Sequence, residues 1–128
     1  QWAREAEERG AGELLLTSID REGTGKGFDN ELIAGIVGVV DIPVIAHGGA
    51  SCYSDIDHVL REIGADAVAV ASMFHYEYIR SNPGVNHYLD EGNVQFLSSG
   101  STFKSFGKEN LKIVKQGLKE NGFIVRGV

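Results

Sequence analysis

Three small, polar or glycine-rich segments each follow an apolar run. They are Asp20-Arg21-Glu22-Gly23-Thr24-Gly25-Lys26-Gly27, His47-Gly48-Gly49-Ala50-Ser51 and Ser72-Met73-Phe74-His75. Glycine at such a place lets an anion approach the main chain where a Cβ would block it. Gly23, Gly48 and Gly49 can offer N–H groups, and Thr24 and Ser72 can add hydroxyl donors. A helix beginning just after Ser72 would add the positive end of its dipole. The chemistry these residue types suit is retention of a phosphoryl group by backbone amides. Any one of the glycines alone is more simply a turn residue; the three segments together favour phosphate.

Other candidates are weaker. His75, His87 and Cys52 lack metal-ligand spacing, so neither a metal nor a cofactor is expected. Cys52 has no evident base to activate it. Asp55 and Asp57 read as charges near a helix start, and His58 as a solvated helix residue. Lys108, Lys112, Lys115 and Lys119 read as the solvated side of a helix.

The elements that must position the three segments are legible from periodicity. Leu14–Ile19, Pro43–Ala46 and Ala67–Ala71 are short continuous apolar runs, the pattern of parallel strands covered on both faces. Between them, Leu32, Ile33, Ile36, Val37 and Val40 recur at helical spacing behind Asp29 as a cap. Ile56, Val59, Leu60 and Ile63 do the same behind Ser54, with Gly64 as the stop. A last helix is expected over roughly 108–121, ended by Gly122, and residues 1–9 read as a helix with Trp2 and Ala6 on one side. Helices alternating with strands imply βαβ units, and such folds gather the carboxyl ends of their strands around a ligand. The segment 80–107 departs from this pattern and reads as an insertion, with Asn93–Leu97 as an extra strand within it.

Composition narrows the function classes. A chain of 128 residues, 42% apolar and 23% charged, suits one domain over 1–128. Its formal charge of −6 argues against a nucleic-acid partner. No apolar run reaches the length of a membrane span, so no membrane partner is expected. With one cysteine no internal disulfide can form, which fits a cytoplasmic setting. The sequence opens on Gln1 and its one methionine is Met73, which suggests a start inside a longer reading frame.

The stretches 10–24, 42–50 and 64–75 resemble, in order and spacing, the last three strands of the cyclase subunit of imidazole glycerol phosphate synthase. The resemblance covers about residues 1–79 and resumes at the final helix and 121–126. It implies a partial (β/α)8 TIM-type barrel of three to four parallel βα units. In that family the cyclase takes ammonia from a glutaminase subunit and closes an imidazole ring on a substrate with a phosphate at each end. The resemblance maps a phosphate site onto Gly23, Thr24, Gly48, Gly49, Ala71 and Ser72. It maps an active-site strand residue onto Thr17 and the ammonia gate onto Glu13.

Departures from the family pattern matter as much. The family's acid and base are aspartates on its first and fifth strands, to which nothing in this chain corresponds. Asp20 belongs to the sixth-strand motif, and Glu22 stands where aspartate is usual. His47 replaces a usual serine and can donate to a phosphate, or simply pack at a strand end. The leading expectation is a fragment of the histidine-pathway cyclase, inactive alone, that keeps the phosphate site and associates with itself. An alternative is a self-assembled enzyme for a phosphorylated sugar or ribotide, with Thr17, Asp20 and His47 at its active site and acid–base work falling to Asp20 and His47. A non-enzymatic interaction module, or a relative serving sugar amidation, are the remaining readings.

Overall fold

The computed structural model describes residues 1–82 and 106–127. Helix α1 (Trp2–Glu8) leads into strand β1 (Leu14–Thr17), helix α2 (Asn30–Val37) and strand β2 (Val44–His47). Helix α3 (Tyr53–His58) runs on into a turn of π-helix (Val59–Ile63), followed by strand β3 (Ala67–Ala69) and helix α4 (Ser72–Ser81). Helix α5 (Leu111–Glu120) closes the described chain.

The strands form one parallel sheet in the order β1-β2-β3. This is part of a TIM-type β/α barrel: three βα units among the described residues. Most of segment 80–107, including Asn93–Leu97, lies outside the described residues, as does the question of an insertion there.

The two faces of the sheet differ. In register, Leu16, Ala46 and Val68 share one face, where Ala46 is fully buried and the helices pack. Ile33 of α2, Ile56 of α3, Val59, Met73 of α4 and Val114 and Leu118 of α5 complete that core. Leu15, Ile45 and Ala67 share the other face, with Thr17, His47 and Ala69 one step further along. Leu15 there is 62% exposed.

Three helices begin where a side chain takes orphan N–H groups. Asp29 caps α2 by accepting from the Leu32 N–H at 3.1 Å. Asn110 caps α5 by accepting from the Ile113 N–H at 3.0 Å. The cap of α3 is Cys52 rather than Ser54: Cys52 is extended, and Asp55 folds back to accept from the N–H groups of Ser51 and Cys52. Gly64 stops the helical run, as expected, in the left-handed conformation at φ +85°.

The strands end earlier than the apolar runs. Beyond Thr17 the chain tightens, with the Arg21 and Glu22 N–H groups both donating to the Ser18 carbonyl. Beyond His47, Gly48 and Gly49 take φ of +97° and +101°, which carries β2 out of the sheet and leaves Val70 and Ala71 without a ladder partner. The first helix also differs from expectation. Ala3 is its buried residue and Trp2 is 84% exposed. Glu7 accepts from the Asp41 and Ile42 N–H groups, so α1 fixes the entry to β2. No helix among the described residues is long and apolar enough to cross a membrane.

Candidate functional site

Because the strands are parallel, their carboxyl ends lie on one side, and the three segments that follow them meet there. A small cleft of about 40 Å³, partly open to solvent, is walled by Glu22, Gly23 and Gly25 from the first segment. The second contributes His47 to Ala50, and the third Ala69 to Ser72. Phe106 closes it from the chain that re-enters after the third segment.

The segments lock onto one another through main chain. The Ser18 N–H donates to the His47 carbonyl at 3.1 Å, and the Gly27 N–H to the Gly49 carbonyl at 2.8 Å. A Cβ at Gly48 would lie 2.8 Å from the Ser18 carbonyl oxygen, and one at Gly49 would collide with the Gly27 carbonyl. These two glycines are thus required by the packing of loop on loop. Gly23, at φ +71°, has open space where its Cβ would be.

The donors face a gap in the hydrogen-bond pattern. Among the described residues, no turn or loop hydrogen bond runs from the N–H groups of Gly23 or Gly49. Helix α4 starts at Ser72 without a side-chain cap, and its first internal bond runs from the His75 N–H to the Ala71 carbonyl. Its earlier N–H groups are therefore left for another acceptor. Five expected phosphate ligands, Gly23, Gly48, Gly49, Ala71 and Ser72, line this cleft. Thr24 does not: its hydroxyl donates to the Arg21 carbonyl at 2.7 Å and accepts from the Lys26 N–H.

Of the three residues expected at an active site, two come together. Thr17 and His47 are register partners, and Thr17 Oγ1 lies 3.0 Å from His47 Nδ1. Asp20 is exposed and stands off the cleft wall. Glu13 immediately precedes β1, at the opposite end of the sheet. No cluster of three metal-ligating side chains occurs among the described residues.

Sequence reasoning missed two supports. Ser18 is buried and its hydroxyl donates to Asp29 at 3.1 Å, so the cap of α2 also braces the end of β1. Phe106 reaches the cleft because the Gly107 N–H donates to the Ser51 carbonyl at 2.6 Å, while Arg80 holds the Gly107 carbonyl. Nothing in the local pattern signals Phe106. The Ser–Asp pair was discoverable only as two polar residues flanking the first glycine-bearing segment.

Behind the cleft, Tyr53, Asp57, Arg61 and Asn121 tie α3 to the end of α5. Asn121 donates to the Tyr53 hydroxyl at 2.7 Å and to Asp57 at 3.0 Å, and Arg61 pairs with Asp57 at 3.1 Å. The Arg61 guanidinium also lies 5.3 Å from the Phe123 ring centroid. The Arg61 hydrogen bond holds the Asp57 carboxyl below its usual range, and burial followed by the Asp57 charge pushes the Tyr53 phenol up.

Residues 1–80 match the family described as histidine biosynthesis protein. The imidazole glycerol phosphate synthase subunit HisF of Pyrobaculum aerophilum is 50% identical over 97 residues, 74% of this chain and 37% of that protein. The subunit HisF of Clostridium beijerinckii is 45% identical over 94 residues, 73% of this chain and 37% of that protein. In Kocuria rhizophila the figures are 53% over 100 residues, 78% and 36%. The chain thus spans little more than a third of the length of the curated relatives it matches. A crystal structure of the Amycolatopsis orientalis BexX/CysO complex superposes with a TM-score of 0.51 at 18% identity, covering 98% of this chain and 43% of that one, a likeness of fold alone.

Proposed function

This chain belongs to the histidine biosynthesis protein family, and from that membership we propose that it supplies the phosphate-holding end of an imidazole glycerol phosphate synthase cyclase. The observation that carries the reading is the meeting of three strand tips at one cleft, where the N–H groups of Gly23 and Gly49 and of the first turn of α4 have no loop partner among the described residues. A phosphoryl group placed there would accept from Gly23, Gly48 and Gly49 and from the start of α4, with the Ser72 hydroxyl alongside. Fixed amides suit this task because they cost no reorganisation when the anion arrives.

Retention is separate from turnover. The acid–base pair that the resemblance places on two other strands has no counterpart here, and Asp20 stands away from the cleft wall. We therefore expect this chain to bind a phosphorylated ligand and to close no imidazole ring alone. Glu13, at the far end of β1, suits the ammonia gate, and a glutaminase subunit is the matching partner. A cytoplasmic setting, with Cys52 a free thiol, belongs to the same reading.

A second reading rests on the open sheet face. Leu15 on that face is 62% exposed and Ile19, in the turn just beyond β1, is 87% exposed, and each ~100 Å² of apolar surface offers about 2.5 kcal/mol to whatever covers it. Two or more copies of the chain could cover that face for one another and so build a fuller barrel.

Calorimetry with inorganic sulfate and a cyclase assay with ammonia and the ribotide substrate test both. Sulfate binding without turnover supports the first reading. Turnover by the pure chain overturns it in favour of the assembled enzyme, and absence of sulfate binding removes the phosphate site from both.

A further inference from the structure

The cleft carries a single side chain among the described residues that can become a cation. Its wall is otherwise glycine, alanine, Val70, Ser72 and Phe106, with Glu22 the one acid. Resting on the phosphate reading above, we infer that His47 is the charge-bearing ligand of the bound anion and that Thr17 is its positioning residue.

The geometry assigns different work to the two ring nitrogens. Nδ1 lies 3.0 Å from Thr17 Oγ1, across the paired positions of β1 and β2. Among the described residues nothing takes Nε2. A threonine hydroxyl carries one donor and two acceptor sites. With an anion at Nε2 the neutral ring keeps its own proton there, and the hydroxyl donates to Nδ1. It accepts from Nδ1–H when the ring is charged. In both states Nε2–H is the donor left over, and the ring need not turn as it gains its charge. His47 belongs to the strand end that leads directly into Gly48 and Gly49, so its charge and their N–H groups serve one anion.

The surroundings decide the direction of the pH effect. From the first segment, Glu22 shares the wall and repels an anion. From β3 and the start of α4 come Ala69, Val70, Ala71 and Ser72, and from the re-entering chain Phe106, none of them charged. Protonation of His47 therefore changes the cleft from net acidic to balanced, and anion affinity must rise as pH falls.

Sulfate is the probe because its own charge stays constant over the range. Calorimetry on the full chain should show binding ~tenfold tighter near pH 5.5 than near pH 8.5. His47→Gln should hold the weaker affinity at every pH. Thr17→Val should flatten the profile and Thr17→Ser restore it. Glu22→Gln should strengthen binding throughout and leave most of the pH dependence in place.

A wild-type protein that binds sulfate equally at both ends of the range overturns the assignment and leaves the cleft intact. So does a profile that survives His47→Gln, or one abolished by Glu22→Gln. A Thr17→Val profile matching wild type removes Thr17 alone from the assignment. Failure of the wild type to bind sulfate at any pH instead removes the cleft itself. The wild-type and Glu22→Gln measurements decide the matter even where a His47 variant does not fold.

Discussion

The two faces of the sheet are built from the same residue types and differ in what covers them. On one, Leu16, Ala46 and Val68 meet the helices and merge with Ile33, Ile56 and Met73 into the core. On the other, Leu15 stands largely exposed, and His47 and Thr17 are only half-buried. Parallel strands carry apolar residues on both faces because both are normally covered. The covered face accounts for stability. The proposed recognition falls to the strand tips beside the open face.

The contrast can be tested from its strongest consequence downward. Ile56→Ala removes a side chain that is 1% exposed and should cost ~2–5 kcal/mol, while Leu15→Ala on the open face should cost under ~1 kcal/mol. Denaturant titration compares them, and equal costs would mean that the open face is covered in solution. In that case sedimentation of wild type and Leu15→Lys should show an assembly that the charge breaks up.

At the rim between the faces, Gly49→Ala should destabilise by ~3 kcal/mol or more, because backbone strain and a collision with the Gly27 carbonyl add. Gly23→Ala, strained but unobstructed, should cost ~1–2 kcal/mol. Thermal unfolding of both variants measures the gap, and a gap near zero would deny that the loops lock as described.

The smallest effect belongs to the outer clamp of the covered side. Arg61 depresses the Asp57 carboxyl in the folded state, so folding favours the ionised form. Its stabilisation is fully present above the ordinary carboxylate value of 3.8 and fades as pH falls through the lower folded value. Asp57→Asn should therefore lower the melting temperature slightly near neutral pH. The difference from wild type should vanish at strongly acidic pH, and a difference that grows there would reverse the assignment.

Much of this architecture was legible beforehand. The apolar runs at 14–19, 43–46 and 67–71 marked all three strands described, since a strand apolar on both faces leaves no alternation to misread. Asp29, Gly64 and Gly122 marked helix ends because caps and left-handed stops depend on single residues. Boundaries were less legible. Strand length depends on where a neighbour stops offering hydrogen bonds, and Gly48 and Gly49 leave the sheet before Val70 and Ala71 can pair. Thr24 looked equivalent to Ser72 as a hydroxyl donor, but its loop turns that hydroxyl inward.

By itself the sequence determined the alternation of strand and helix, the family, and which segments carry glycine beside polar donors. Each depends on neighbours in the chain or on residue identity, and both survive without a third dimension. Only the tertiary structure decided that Gly48 and Gly49 are held by loop contact as much as by any ligand. It alone placed Phe106 at the cleft, set Thr17 against His47, and left one sheet face open. Those facts depend on distances between residues far apart in sequence, and no local pattern encodes a distance.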